Sequence, residues 1–339
     1  MRNILIFVEL IVIFSLLGYA IFLYVSPLQR ISSAPIAVDS ITRSASSTFE
    51  YYFEFEPGIR KNGTPSWLEG YELVNTTNAD TLNERLNYSV EKPARTYRVV
   101  TLGDSWTYGQ FVSTPDNFSE KLEDLLNTQL SCKNFNAFEV INLGVPNYDV
   151  AYAYERFKIR GEKYNPDTVV WLFIPNDFTE IQELFYPLSR SIYEELQQQT
   201  IDEAYDERQG YKGLRTSSGD IRAAMAALSA IEEIQSMYTF DEIRDYQETY
   251  LRAFLEQHDG GTVLYTVPDY LSYSREDVAL LKQYANEFSA ASYVPSEFQW
   301  TEGYHLPDQH PSPAGHSFLA QELFEYLLET ELKECTVIS

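Results

Sequence analysis

The stretch TYRVVTLGDSWTYGQFV, residues 96–112, runs from a β-branched segment into Gly-Asp-Ser and on through aromatic residues toward a helix. Taken alone, Gly103-Asp104-Ser105 is ordinary vocabulary for a strand-to-helix turn. Its meaning depends on what recurs along the chain. Three further short β-rich runs follow, FEVINL (138–143), TVVWLFI (168–174) and TVLYTV (262–267), and each reads as a buried strand. Between the first two, Thr114-Pro115 predicts a helix start, with Phe118, Leu122, Leu125 and Leu126 as its apolar face. Residues 148–164 can carry a second helix, with Val150, Tyr154 and Phe157 on one side. Strands alternating with helices predict an α/β fold with a doubly wound parallel sheet, whose ligands sit at the carboxyl ends of the strands. Gly-Asp-Ser lies at such an end.

The spacing changes between the third and fourth runs, where residues 178–261 are several times longer than one crossover requires. FDEIRDYQETYLRAFLEQ is the expected crossover helix, which leaves a helical insertion at about 178–238, either a cap over the site or a peripheral decoration. The last helix is expected after HPSPAGH, with Ser312 as N-cap, Pro313 as first residue and a stripe of Phe318, Leu319, Leu323, Phe324, Leu327 and Leu328. His310 then falls in the loop just before a helix. The expected organisation is an anchor over 1–30, a stalk or amino-terminal wrap over 31–92 and a catalytic domain over 93–339.

At 339 residues, 44% hydrophobic and 15% aromatic, the chain can bury a large core. A formal charge of −25 argues against nucleic acid as a partner, because a phosphate-backbone binder needs a basic face. The segment from Ile4 to Val25 is apolar except for Glu9 and, at 1.5 Å per residue, would span about 33 Å as a helix. It predicts a retained membrane anchor with the body of the chain outside the cytoplasm; a cleaved signal is the alternative, although no small-x-small site closes the run. Cys132 and Cys335 are the only cysteines, which permits either one disulfide or two buried thiols. Triplets of the glycosylation type occur at Asn62, Asn75, Asn87 and Asn117.

A serine hydroxyl becomes a nucleophile when a histidine removes its proton and a carboxylate holds that histidine in the right tautomer. Of the four histidines, His258 ends a charged helix and reads as solvated, His305 has no evident acid partner, and His316 lies in a first helical turn, where the dipole disfavours an imidazolium. His310 follows Asp308 by two positions. His305, Asp308, His310 and His316 do not have the spacing of a zinc-binding helix, and no cysteine pair assists, so neither metal nor cofactor is expected.

In these blocks the chain resembles the SGNH/GDSL hydrolases. GDSWTYGQFV resembles the first block, INLGVPNYD the second, PDTVVWLFIPNDF the third and LPDQHPSPAGH the last, in the family's order. The resemblance covers about residues 97–180 and 262–330. It implies a three-layer α/β/α flavodoxin-like architecture with Ser105 as nucleophile, His310 as base and Asp308 as acid. The oxyanion donors it implies are Ser105 N–H, Gly144 N–H and the Asn176 side chain. Two positions depart from the pattern. Ile174 stands where the family often has glycine, and Asp308 is two residues before the histidine rather than three, which leaves Asp269, or a dyad held by a backbone carbonyl, as alternatives.

The expectation is a membrane-anchored serine esterase that cleaves O-acyl esters, O-acetyl above all, of a glycan or small polar substrate through an acyl-enzyme. An O-acyltransferase on the same scaffold and a non-catalytic binding module are the alternatives.

Overall fold

The computed structural model describes residues 41–43, 47–62, 73–197, 218–267, 275–298 and 303–338. The strands, in chain order, are β1 (Ile41–Arg43), β2 (Phe53–Phe55), β3 (Gly58–Asn62), β4 (Leu73–Thr77), β5 (Thr96–Leu102), β6 (Leu130–Cys132), β7 (Ala137–Asn142), β8 (Thr168–Phe173), β9 (Gly261–Thr266), β10 (Ala291–Pro295) and β11 (Cys335–Val337). The α-helices are α1 (Ser105–Tyr108), α2 (Phe118–Gln129), α3 (Val150–Arg156), α4 (Gln182–Gln197), α5 (Ser218–Met237), α6 (Phe240–Gln257), α7 (Arg275–Glu287) and α8 (Pro313–Thr330).

Five strands form one parallel sheet in the order β10-β9-β8-β5-β7. Counted along the chain this is 2-1-3-4-5, the doubly wound order whose direction of winding reverses between β5 and β8. A crevice opens at such a reversal, outside the carboxyl ends of the two strands. Ser105 follows β5 and Asn176 follows β8, and the two strands pair in register, Leu102 opposite Trp171. The topology alone brings these two blocks to one place.

The core has two sides because side chains alternate along a strand. Val99, Val140, Val170, Leu172, Val263 and Tyr265 pack with Phe118, Leu122 and Leu126 of α2 and with Leu319, Leu323 and Leu327 of α8. Their neighbours Val100, Ile141, Val169, Trp171 and Leu264 face the other way, onto α3, α6 and α7 through Val150, Tyr154, Leu251, Phe254, Leu281 and Tyr284. Three layers result. Trp171 lies between Phe173 and Phe254, with both ring centroids at 5.0 Å, and truncating such a side chain costs about 3–5 kcal/mol.

Helix starts fix the loops that matter. Thr114-Pro115 opens only a 3₁₀ turn, Thr114–Asp116; the N-cap of α2 is Asn117, whose side chain accepts Glu120 N–H at 2.9 Å. Asp149 caps α3 through Tyr152 N–H at 2.8 Å. Ser312 caps α8 through Gly315 N–H at 3.2 Å, with Pro313 in the first turn as its fixed φ allows.

Cys132 and Cys335 are bonded, joining β6 to β11, where they are register partners. The buried Asn75 and Asn117 amides are engaged in hydrogen bonds, so those two triplets cannot carry a glycan. His258 is not solvated: it stacks on Phe254 at 5.3 Å, and burial holds its pKa down. Within residues 178–238 the structure describes α4 and α5, which pack on each other, and α6 is the crossover that delivers the chain to β9. Residues 47–55 lie against α3, with Tyr52, Phe53, Tyr148 and Tyr152 in one aromatic cluster, and Arg156 and Arg160 both pair with the buried Glu54. Among the described residues no helix is long and apolar enough to cross a membrane; the apolar run from Ile4 to Val25 lies outside them.

Candidate active site

Gly103 turns the chain from β5 into α1 at φ +143°, and a Cβ there would lie 2.3 Å from Thr107 Oγ1 and 2.6 Å from the Leu172 carbonyl oxygen. Glycine is therefore required by both backbone and space. The turn leaves Ser105 as the first residue of α1, 6% exposed, with a backbone N–H that has no acceptor within its own helix. Asp104 caps this short helix by accepting Trp106 N–H at 3.0 Å.

His310 reaches Ser105 across 205 positions of sequence: its Nε2 lies 2.9 Å from Ser105 Oγ, and its Nδ1 lies 2.8 Å from Asp308 Oδ2. The Asp308 carboxylate accepts the Nδ1 proton, which leaves Nε2 as an acceptor for the serine hydroxyl, whose one proton also has Asp104 Oδ2 within 2.9 Å as a competing acceptor. The two-residue spacing works because of the backbone between them. Gln309 adopts φ +75°, its N–H donates to the Leu306 carbonyl at 2.9 Å, and Leu306 N–H donates to the His310 carbonyl at 2.8 Å. The tight turn folds His310 back over Asp308. Asp269, the alternative acid, lies outside the described residues.

The second block sits beside α1 but not in the role expected. Gly144 N–H donates to Asn142 Oδ1 at 2.9 Å, so it is committed within its own loop and does not point at a reacting oxygen. The need for glycine is steric: a Cβ at 144 would lie 2.3 Å from Tyr108 N. Gly144 lets the β7 loop pack on the backbone of α1, and Asn142 Nδ2 adds a bond to the Thr107 carbonyl at 2.8 Å. Farther on, Val145, Pro146, Asn147 and Tyr148 form a turn in which Tyr148 N–H donates to Val145 O at 3.2 Å and Asn147 has φ +66°. Proline followed by asparagine with positive φ is the signature of a type II turn. This loop is tied to the nucleophile's own turn, because Val145 N–H donates to Gly103 O at 3.3 Å.

Asn176 lies in the 3₁₀ turn Pro175–Phe178 directly after β8, half-buried, and among the described residues its carboxamide has no hydrogen-bond partner. Ile174, at the position where glycine is the family's habit, has φ −123°, an extended conformation any residue adopts, and its side chain joins the core. The departure costs nothing.

Two carboxyls behind the nucleophile were not singled out by sequence reasoning. Asp104 Oδ2 lies 2.9 Å from Ser105 Oγ, and burial raises its pKa against the opposing effect of the Trp106 N–H, the Ser105 hydroxyl and His310. Asp177 accepts Ile174 N–H at 2.8 Å through Oδ2, while its buried Oδ1 has no partner. Burial first, and then the charge of Asp104, push the Asp177 pKa well above its usual carboxylate value, favouring the protonated form. The sequence signal for Asp177 is the Asn176-Asp177 dipeptide at the end of the third β-rich run. Elsewhere His316 is buried and neutral, its Nδ1 accepting Phe118 N–H at 3.2 Å, and burial lowers its pKa to about 3. Among the described residues no three metal-ligating side chains come together.

No protein-family model and no curated protein matches the chain. Solved structures with some similarity include a catalytic mutant of an acetylxylan esterase from Geobacillus stearothermophilus, at 15% identity over 68% of this chain and 93% of that one, TM-score 0.42. A lipase/acylhydrolase from Enterococcus faecalis is similar at 14% identity over 68% and 95%, TM-score 0.37. A psychrotrophic esterase from Pseudoalteromonas is similar at 12% identity over 68% and 97%, TM-score 0.37. Likenesses this distant leave the reaction to be read from the side chains themselves.

Proposed function

We propose that the chain is a serine ester hydrolase of the SGNH type. The observation that carries this is the hydrogen-bonded line from Asp308 through His310 to Ser105 Oγ, assembled from two ends of the sequence at the carboxyl edge of a parallel sheet. In the reaction Ser105 Oγ attacks the ester carbonyl as His310 Nε2 takes its proton; His310 then gives that proton to the departing alcohol oxygen. The acyl group remains on Ser105. Water, deprotonated by the same histidine, attacks the acyl carbon; the C–Oγ bond breaks, His310 returns the proton to Ser105 Oγ, and the acid leaves. Ser105 N–H and the uncommitted carboxamide of Asn176 stabilise the tetrahedral oxyanion, each donor worth a few kcal/mol in the transition state. With Gly144 N–H already bonded to Asn142 Oδ1, Ser105 N–H and the Asn176 carboxamide are the two donors this reading relies on.

The preferred substrate is an O-acyl, in particular O-acetyl, ester of a carbohydrate or other small polar alcohol, and the chain is held at a membrane by residues 4–25 with the catalytic body outside the cytoplasm. What supports the location is the length of the apolar run in the sequence together with the Cys132–Cys335 disulfide, a bond that persists in oxidising compartments. Turnover of p-nitrophenyl acetate by the purified full chain, beside Ser105→Ala, tests the reading. Burst release of p-nitrophenol followed by steady turnover, both absent from Ser105→Ala, is the expected outcome. Equal turnover by both proteins overturns it.

A further inference from the structure

The segment that leaves α1 carries two residues in the left-handed region, Gly109 at φ +82° and Phe111 at φ +65°. Glycine is at ease there. A bulky side chain is not, and it stays only when its surroundings dictate it. The Phe111 ring stands edge-on to the His310 imidazole, with centroids 5.3 Å apart and planes at 80°. A strained phenylalanine therefore touches the ring that must satisfy Asp308 on one side and Ser105 on the other.

Both flanks of Phe111 are tied to residues 73–83, outside the five-stranded sheet. Ahead of it, Asn83 Nδ2 donates to the Tyr108 carbonyl at 2.6 Å. Behind it, Asn75 Nδ2 donates to the Val112 carbonyl at 3.0 Å, Val74 N–H to Ser113 Oγ at 3.1 Å and Thr76 N–H to Thr114 Oγ1 at 2.7 Å. Thr114 Oγ1 in turn donates to Asn83 Oδ1 at 2.6 Å, closing the loop of bonds. Asn75, Asn83, Val112 and Thr114 are all buried. Water cannot readily replace these bonds, so they hold geometry as well as chain.

We infer that residues 73–83 form a strap that holds Phe111 in its left-handed conformation against His310, making Phe111 a positioning residue for the catalytic base. The inference rests on the esterase reading. The imidazole must keep Nδ1 on the Asp308 carboxylate and Nε2 on Ser105 Oγ at once, and rotation about its χ2 breaks both bonds. The Phe111 ring, packed nearly perpendicular to the imidazole, opposes that rotation. A misplacement of the base on the ångström scale acts on the chemical step more than on substrate binding.

Turnover by the wild-type full chain that disappears in Ser105→Ala supplies the reference, and its presence separates the esterase reading from the role of Phe111. Phe111→Gly removes the ring while suiting the backbone, so the protein keeps its thermal midpoint. We expect kcat to fall about 10- to 100-fold with KM changed less than about 3-fold, and Phe111→Tyr to return kcat to within about 3-fold of wild type. Asn75→Ala should lower kcat in the wild-type background and cause no further loss in Phe111→Gly; Ser113→Ala, which removes only the acceptor for Val74 N–H, is the milder variant should Asn75→Ala not fold. The inference is overturned by a Phe111→Gly kcat within about two-fold of wild type, by a loss that appears in KM, or by a strap variant that costs the same factor with and without the ring.

Discussion

Asp308 holds His310 twice: Oδ1 accepts the His310 backbone N–H at 3.3 Å while Oδ2 lies 2.8 Å from Nδ1. One carboxylate thus sets both the position of the residue and the tautomer of its ring. Asp308→Asn keeps the shape but removes the charge that stabilises the imidazolium, and kcat for p-nitrophenyl acetate should fall about 10²- to 10⁴-fold. Asp269→Asn should leave kcat within a few-fold. The reverse ranking in steady-state kinetics would move the acid to Asp269.

Asp177 gives stability a dependence on alkali. Its pKa in the fold lies well above the usual carboxylate value, so the folded protein keeps a proton that the unfolded chain gives up near pH 4. Stability is full below that pH and falls as the pH rises toward the folded value. Asp177→Asn keeps an oxygen for Ile174 N–H and does not titrate. Urea unfolding should show the variant close to wild type at pH 4 and gaining on it as the pH rises above that value; a difference that does not change with pH contradicts the assignment.

His316 has the opposite sign. With a folded pKa of about 3 against an unfolded value near 6.5, it must stay neutral, so stability is full above pH 6.5 and falls by about 1.4 kcal/mol per pH unit below it. His316→Gln retains an acceptor for Phe118 N–H without the titration. Thermal unfolding between pH 7.5 and 4.5 should be flatter for the variant, which starts lower because the stack on Phe118 is lost. Parallel curves would place the acid sensitivity elsewhere.

The disulfide closes a loop of 203 positions and pins the carboxyl-terminal strand to β6. In the chain-entropy account a loop of that length stabilises by at most about 5 kcal/mol. The double variant Cys132→Ser, Cys335→Ser should therefore unfold at a clearly lower temperature while keeping its kcat, because neither cysteine approaches Ser105 or His310 among the contacts of the site. Loss of turnover with an unchanged thermal midpoint would refute that separation.

Four of the five sheet strands were legible because each carries a run of β-branched and aromatic residues; β5, β8 and β9 are buried along almost their whole length, and β7, although an edge strand, keeps Phe138, Val140 and Ile141 buried. The fifth, ASYVP at Ala291–Pro295, escaped notice: it is an edge strand, half-exposed, with one β-branched residue in its interior. Ser105, His310 and Asp308 could be read as residues, yet the reason that two-residue spacing suffices lies in Gln309, whose positive φ no rule assigns to glutamine. Gly144 was legible as a glycine but not as a packing one, since the close approach of Tyr108 N depends on strands paired across the sheet. The same holds for Phe111 and its strap. Residues 73–83 read as aperiodic because β4 is only five residues long and mostly polar, LVNTT, and the remainder is ordered by side-chain bonds to a distant loop.

The central claim is that Ser105 is the nucleophile, activated by His310. Treating the full chain with a serine-directed p-nitrophenyl phosphonate and measuring intact mass, peptide position and residual turnover together tests it most directly. The account predicts one phosphonyl group per chain, located on Ser105, with turnover lost in proportion to labelling and with no labelling of His310→Ala on the same timescale. Labelling at another residue, or turnover that survives full modification of Ser105, would contradict it.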